Sequence, residues 1–234
     1  MPDTHPVHPV HPAPPVRPVS HSPDTGAAPP AVAGLLLAAG GGRRLGGRPK
    51  ALLAHRGRPL VEHAARVLRA GGCAPVHVVV GAAAPEVRER AVLPDAVLVD
   101  NPGWADGMGS SLRAGLASLA GTGAGAALVL LVDQPGIGAA AVARLVAAYR
   151  GPGTLASAAY GGRRGHPVLL GAERWAAVAA DATGDRGARG YLKEHEDEIL
   201  LVECADIAEP YDIDTEADLS HLEQTTAPDI ELPR

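Results

Sequence analysis

Short, almost uninterrupted apolar runs alternate with segments of helical spacing along this chain. That alternation limits the fold more than any other feature. Residues 33–38 form one such run, 76–80 read VHVVV, 96–99 read AVLV and 126–132 read AALVLLV. Between them, 60–70 places Leu60, Ala64, Val67 and Leu68 on one helical face. Residues 85–92, 110–120 and 139–149 read as further helices, with Ser110 at the start of the second. Strands apolar at nearly every position need cover on both faces, which implies a parallel sheet between two helical layers. Residues 154–160 and 166–170 flank GGRRG and read as an antiparallel hairpin, so the sheet is mixed. Helices near 172–180 and 187–195, a strand at 199–203 and a helix at 216–222 complete the pattern.

The two ends read differently. The first 30 residues hold ten of the 22 prolines and no apolar core of a signal peptide. They read as a disordered Pro/His-rich arm, followed by one domain over 31–223 and a flexible tail over 224–234. Hydrophobic residues make up 46% of the 234, which supplies a real core and excludes a wholly disordered chain. The net charge of −5 argues against a nucleic-acid partner. No apolar run reaches the ~18 residues of a membrane span. Cys73 and Cys204 are too few for a disulfide framework, and the expected compartment is the reducing cytoplasm. Lysine occurs twice, at Lys50 and Lys193, beside 19 arginines.

The first apolar run leads directly into a basic glycine loop, LLLAAGGGRRLGGRPK over 35–50. Glycines let backbone N–H groups approach phosphate oxygens, and Arg and Lys add charge. Two familiar templates fail. A Walker A loop needs Lys-Ser/Thr where Arg48-Pro49 follows Gly47, and a dinucleotide fingerprint begun at Gly40 needs glycine where Leu45 stands.

The loop resembles the L-A-A-G-x-S-x-R-M-G-x-x-K signature of the MobA-like nucleotidyltransferases. Leu37, Ala38, Ala39, Gly40, Arg44, Gly46 and Lys50 match, while Gly42 replaces the usual Ser and Leu45 the usual Met. NPGWADGMGSSLRAGL over 101–116, LVDQP over 131–135, GHPV over 165–168, GDRGAR over 184–189 and DIDT over 212–215 follow in the family's order. The Ala38-Ala39-Gly40 form is closest to the molybdenum-cofactor cytidylyltransferase branch. The resemblance implies a three-layer α/β/α Rossmann-like nucleotidyltransferase fold with a mostly parallel mixed sheet. It also implies an NTP substrate, CTP, and Mg²⁺. The implied acceptor is a molybdopterin-type small molecule, and a molybdoenzyme apoprotein is a further partner. Leu37, Ala38, Ala39, Gly40, Gly41, Gly42, Arg44 and Lys50 are then the nucleotide-binding residues. Arg44, Lys50 and Asp133 are catalytic, and Asp133 and Asp214 hold the metal. Asn101, Ser111, Gly165 and His166 face the acceptor.

Several of these residues have a second reading. Asp133 follows the most apolar strand, where open α/β sheets bind ligands, yet it also precedes a helix it could cap. Asp212 and Asp214 share a face of an extended segment, where they suit a metal or a helix start capped by Thr215. His166 touches the acceptor or closes the hairpin. Trp104 lies against a flat heterocycle or packs in the core. Two other functions stay open: an NAD(P)H-dependent oxidoreductase of the nicotine-blue type, known among relatives of this family, and a non-catalytic chaperone that carries the cofactor.

Overall fold

The structure, a computed structural model, describes residues 31–224. The arm expected over 1–30 and, apart from Gln224, the tail expected over 224–234 lie outside them. In chain order the elements are β1 (Val32–Leu37), a two-strand ribbon of β2 (Ala54–His55) and β3 (Arg58–Pro59), α1 (Leu60–Ala70), β4 (Val76–Val80), α2 (Ala84–Arg90), β5 (Ala96–Asp100), α3 (Met108–Ser118), β6 (Ala126–Leu131), α4 (Ala139–Val146), β7 (Leu155–Tyr160), β8 (Arg163–Gly171), α5 (Trp175–Asp181), α6 (Arg189–Glu194), β9 (Leu200–Glu203) and α7 (Ser220–Gln224). Seven strands form one sheet in the order β5-β4-β1-β6-β8-β7-β9. β8 runs against the other six, as the hairpin reading requires.

Alternating side chains on the central strands sort into two cores. Leu36, Val78, Leu128 and Leu130 pack with α1 and α4, whereas Leu35, Leu37, Val79 and Val129 pack with α3 and α5. The three-layer α/β/α arrangement follows from that split. The helices sit close to the sheet. A Cβ on Gly115 of α3 would stand 2.5 Å from a methyl of Leu35, so glycine is what lets α3 lie on β1.

Some boundaries shift for local reasons. α3 begins at Met108 and not at Ser110, because Gly107 takes φ 99° and starts the helix two residues earlier. The Ser110 hydroxyl turns back toward the carbonyls of Gly103 and Gly107. The hairpin turn is Gly161-Gly162, both at positive φ, so Arg163 and Arg164 of GGRRG belong to β8. The helix expected over 139–149 stops at Val146, and the one expected over 187–195 becomes a 3₁₀ turn at Gly184–Arg186 followed by α6. The last helix is likewise split, into a 3₁₀ turn at Ala217–Leu219 and α7. Among the described residues no helix is long and apolar enough to cross a membrane, and both cysteines are free and buried.

Candidate active site

Beyond β1 the sheet grows to one side through β4 and to the other through β6. Connections leave this point in opposite directions, which opens a crevice at the carboxyl ends of β1 and β6. The glycine loop follows β1 and Asp133 follows β6, so the topology brings them together.

Leu37, Ala38 and Ala39 are buried, and Gly40 is the first exposed residue of the loop. Ala38 N–H donates to Val79 O at 2.9 Å, and Ala39 O accepts from Ala82 N–H at 3.0 Å, so the loop is fastened to β4 and its exit. Gly42 has φ 64°, and its carbonyl accepts from Leu45 and Gly47 N–H at 2.9 and 3.1 Å. A Cβ at Gly42 would lie 1.8 Å from Arg48 O. The usual Ser of the signature therefore does not fit this turn, which explains the glycine. Leu45, in place of Met, is fully buried and anchors the loop in the core. Pro49 ends the loop, and a 3₁₀ turn at Lys50–Leu52 aims Lys50 into the crevice.

Lys50 Nζ donates to Asp133 Oδ2 at 2.6 Å and to Asp214 Oδ1 at 2.5 Å. Arg44, whose side chain is 75% exposed, donates to the other oxygen of Asp214 at 3.1 Å. Burial works to lower the Lys50 pKa, but the two carboxylates outweigh it, and the ammonium is held above its ordinary value. Asp133 is raised by burial against the opposing pull of Lys50, with nearby Asp212 adding to the rise. The capping role open to Asp133 is not the one it plays. α4 starts after Gly138 without a side-chain cap, and the Asp133 carboxylate is engaged by Lys50.

The two halves of DIDT separate. Asp212 accepts from Gln134 Nε2 at 2.8 Å, while Asp214 faces Lys50 and Arg44. Ile213 is fully buried between them, and its N–H donates to Asp133 O at 2.9 Å. Asp218 Oδ2 accepts from Thr215 Oγ1 and from the N–H groups of Thr215 and Asp214. These bonds hold Asp218 below the usual carboxylate range and fix the turn that presents Asp214.

Asn101 and Ser111 sit together but face inward. Buried Asn101 donates to Ser110 Oγ and Ser111 Oγ at 2.8 and 3.0 Å, and accepts from Gly103 N–H at 3.0 Å. Gly165 lies in β8, where its carbonyl accepts from Ser157 Oγ, and a Cβ there would meet the Tyr160 ring at 2.9 Å. His166 lines a recess of ≈ 70 Å³ with Leu37, Leu131, Met108, Arg186 and Arg189. Burial pushes the His166 pKa down to about 4, so the ring is neutral near pH 7. Arg186 and Arg189 belong to the GDRGAR motif, and only the folded chain shows that they border this recess.

Two carboxylates meeting on one cation are a donor set of the right chemistry for Mg²⁺, which takes one or two carboxylates plus phosphate oxygens and water. Among the described residues no cluster of three or more His, Cys, Asp or Glu side chains is poised to hold a metal.

Residues 34–199 match the MobA-like NTP transferase domain. The chain belongs to the MobA-like NTP transferase family. Similar to it is the nicotine blue oxidoreductase of Paenarthrobacter nicotinovorans, 46% identical over 193 residues, which span 80% of this chain and 93% of that protein. Among solved structures, a mycobacterial homologue of Mycobacterium tuberculosis rv0371c, from strain JC1, is 33% identical with a TM-score of 0.70, covering 82% of this chain and 96% of that one. Rv0371c of Mycobacterium tuberculosis H37Rv, in complex with manganese, is 27% identical with a TM-score of 0.66, covering 83% and 98%. The two solved mycobacterial structures share the α/β sheet architecture described above. The family match ends at residue 199, so Asp214 is supplied by chain beyond it.

Proposed function

We propose that this protein is a Mg²⁺-dependent nucleotidyltransferase. It moves a nucleoside monophosphate from an NTP, CTP, to a phosphate-bearing acceptor, molybdenum-bound molybdopterin, and releases pyrophosphate. The observation that carries the reading is the meeting of Lys50, Asp133 and Asp214 beside the glycine loop, at the switch point of the sheet.

The backbone of residues 39–42, with Arg44 and Lys50, binds the triphosphate. Asp133 and Asp214 would hold Mg²⁺, whose bound charge would offset negative charge on the phosphates. The terminal phosphate oxygen of the acceptor attacks the α-phosphorus, and pyrophosphate leaves with the bonding electron pair. An attacking phosphate oxygen is already ionised, so the site needs no general base. Positioning and electrostatics are what this chain contributes. Gly165 and neutral His166 border the acceptor, with Arg186 and Arg189 beside them. Asn101 and Ser111 shape the acceptor side from beneath. The manganese complex of Rv0371c supports a divalent cation in this fold.

A second reading, NAD(P)H-dependent reduction, is favoured by the 46% identity to nicotine blue oxidoreductase. One experiment separates the two. The protein is incubated with Mg²⁺ and CTP, GTP or ATP in the presence of a molybdopterin-type acceptor, and pyrophosphate is measured. In parallel, NADPH oxidation is followed with nicotine blue. CTP-dependent pyrophosphate release is expected. Dye-dependent NADPH oxidation, with no pyrophosphate from any NTP, overturns the nucleotidyltransferase reading.

A further inference from the structure

Trp104 follows β5 in a 3₁₀ turn, Trp104–Asp106, at the border between the glycine loop and the core under α3. Two backbone segments, at Gly41 and Gly81, lie against its side chain. A Cβ on Gly41 would stand 3.2 Å from Cζ3 and 3.4 Å from Cη2 of the ring. A Cβ on Gly81, at the exit of β4, would stand 2.5 Å from Trp104 Cβ and 2.9 Å from the Cβ of Ala39. The same added Cβ on Gly41 would stand 3.3 Å from Ala82 Cβ, and Ala82 N–H is the group bonded to Ala39 O.

The turn that carries the indole is itself fixed from within. Trp104 N–H donates to Asn101 O at 3.2 Å, and Gly103 N–H donates to Asn101 Oδ1. Asn101 Nδ2 is in turn held by Ser110 and Ser111 at the start of α3. Gly107 and Gly109, just beyond, press against residues 182–185, where added Cβ atoms would fall 2.5–2.9 Å from Gly184 and Ala182. The segment 101–109 is thus braced against α3 and the chain after α5, and its aromatic side chain bears on the loop.

We propose that Trp104 is a positioning residue: its indole is the support that sets the height and conformation of the loop 39–42 above the end of β1. This gives the buried Asn101–Ser110–Ser111 network a further task beside the acceptor side, which is to hold the turn that carries the indole. The consequence for NTP binding rests on the nucleotidyltransferase reading, whereas the support of the loop does not. Pre-fixing a loop spares its ordering entropy when ligand arrives, so loss of the support raises KM more than it lowers kcat.

The test uses Trp104→Phe, Trp104→Ala, Gly41→Ala and the double variant Trp104→Phe/Gly41→Ala in the full chain. Amide hydrogen exchange is measured without nucleotide, and KM and kcat for CTP with Mg²⁺ are measured separately. In Trp104→Ala, exchange over residues 38–48 should rise roughly tenfold or more while β6 stays protected, and Trp104→Phe should restore part of the protection. KM for CTP should rise roughly tenfold, with kcat changed by less than about threefold. Gly41→Ala should disturb the loop in the wild-type background and do so less when Phe has freed the space of the second ring, a non-additivity the support predicts. Unchanged exchange over 38–48 in Trp104→Phe and Trp104→Ala, or strict additivity of Gly41→Ala with Trp104→Phe, overturns the proposal. Altered exchange in a protein that turns over no NTP retires the nucleotidyltransferase reading and leaves the loop support standing.

Discussion

Lys50 ties Asp133 to Asp214, so the three residues make separable predictions. Lys50→Met keeps the aliphatic stem and removes the ammonium. The carboxylates then lose the cation they share, Asp214 keeping only exposed Arg44, and a free divalent ion no longer competes with Nζ. Mn²⁺ affinity without nucleotide, read by electron paramagnetic resonance, should therefore rise. NTP affinity should fall roughly tenfold or more, because a charge-assisted contact is worth about 1.5–3 kcal/mol. Unchanged affinity for both ligands would remove Lys50 from the site. Asp133→Asn keeps shape and loses charge. Pyrophosphate release should drop on the order of 100-fold, since electrostatic stabilisation is commonly the largest catalytic contribution, and raised Mg²⁺ should recover part of it. Lys50 keeps Asp214, so the melting temperature should fall by only a few degrees, on the order of 1 kcal/mol. Full activity with wild-type Mg²⁺ dependence in Asp133→Asn would sink the proposed chemistry.

At the scale of elements, α1 reaches the site through His63. Its ring lies edge-on to His55 of β2, with centroids 4.8 Å apart, and it bonds the backbone of Pro135 in the loop that bears Asp133. Burial, with His55 and two arginines, lowers its pKa from 6.5 to about 4. The unfolded chain binds this proton near pH 6.5 and the folded one only near pH 4. The stability it contributes is complete above about pH 6.5 and is lost as pH falls toward 4. Between those limits His63→Gln should flatten the fall of the urea midpoint relative to wild type; parallel slopes would show that His63 is not desolvated. The elements themselves were legible in the sequence. Val76–Val80 and Leu60–Ala70 form over the residues their patterns marked, because apolar periodicity and burial are the same constraint. The start of α3 was not legible. Ser110 looks like a helix cap by type, and only the bonds to Asn101 and the φ of Gly107 show that it is not. The candidate site was legible in its residue types and not in its partners. Lys50 reads as a phosphate ligand from the loop that carries it, whereas its pairing with Asp214 spans 164 positions and leaves no local pattern.

The whole molecule assembles the site from both ends of the described chain. The glycine loop opens the sheet, and the segment that delivers Asp214 arrives after the last strand, β9, and crosses back over the loop after β6. Ile213 N–H donates to Asp133 O, and Glu209 N–H donates to Gly136 O at 3.2 Å, so the returning segment is sewn to the loop 133–136 by backbone bonds. Glycine at 136 makes the approach possible. A Cβ there would lie 2.3 Å from Glu209 O and 2.6 Å from the Tyr211 ring. Gly136→Ala should therefore lift residues 209–215 away from β6 without touching a charged group or the sheet. Overpacking of this kind typically costs about 1–3 kcal/mol, enough to move the segment while leaving the seven strands folded. Displaced, Asp214 no longer shares Lys50 with Asp133, and pyrophosphate release should fall roughly tenfold or more, with weaker Mg²⁺ dependence. Hydrogen exchange should rise over 209–215 and stay unchanged over β1 and β6. If Gly136→Ala retains wild-type turnover although exchange over 209–215 has risen, the returning segment is not part of the site, and Asp214 loses its assigned role.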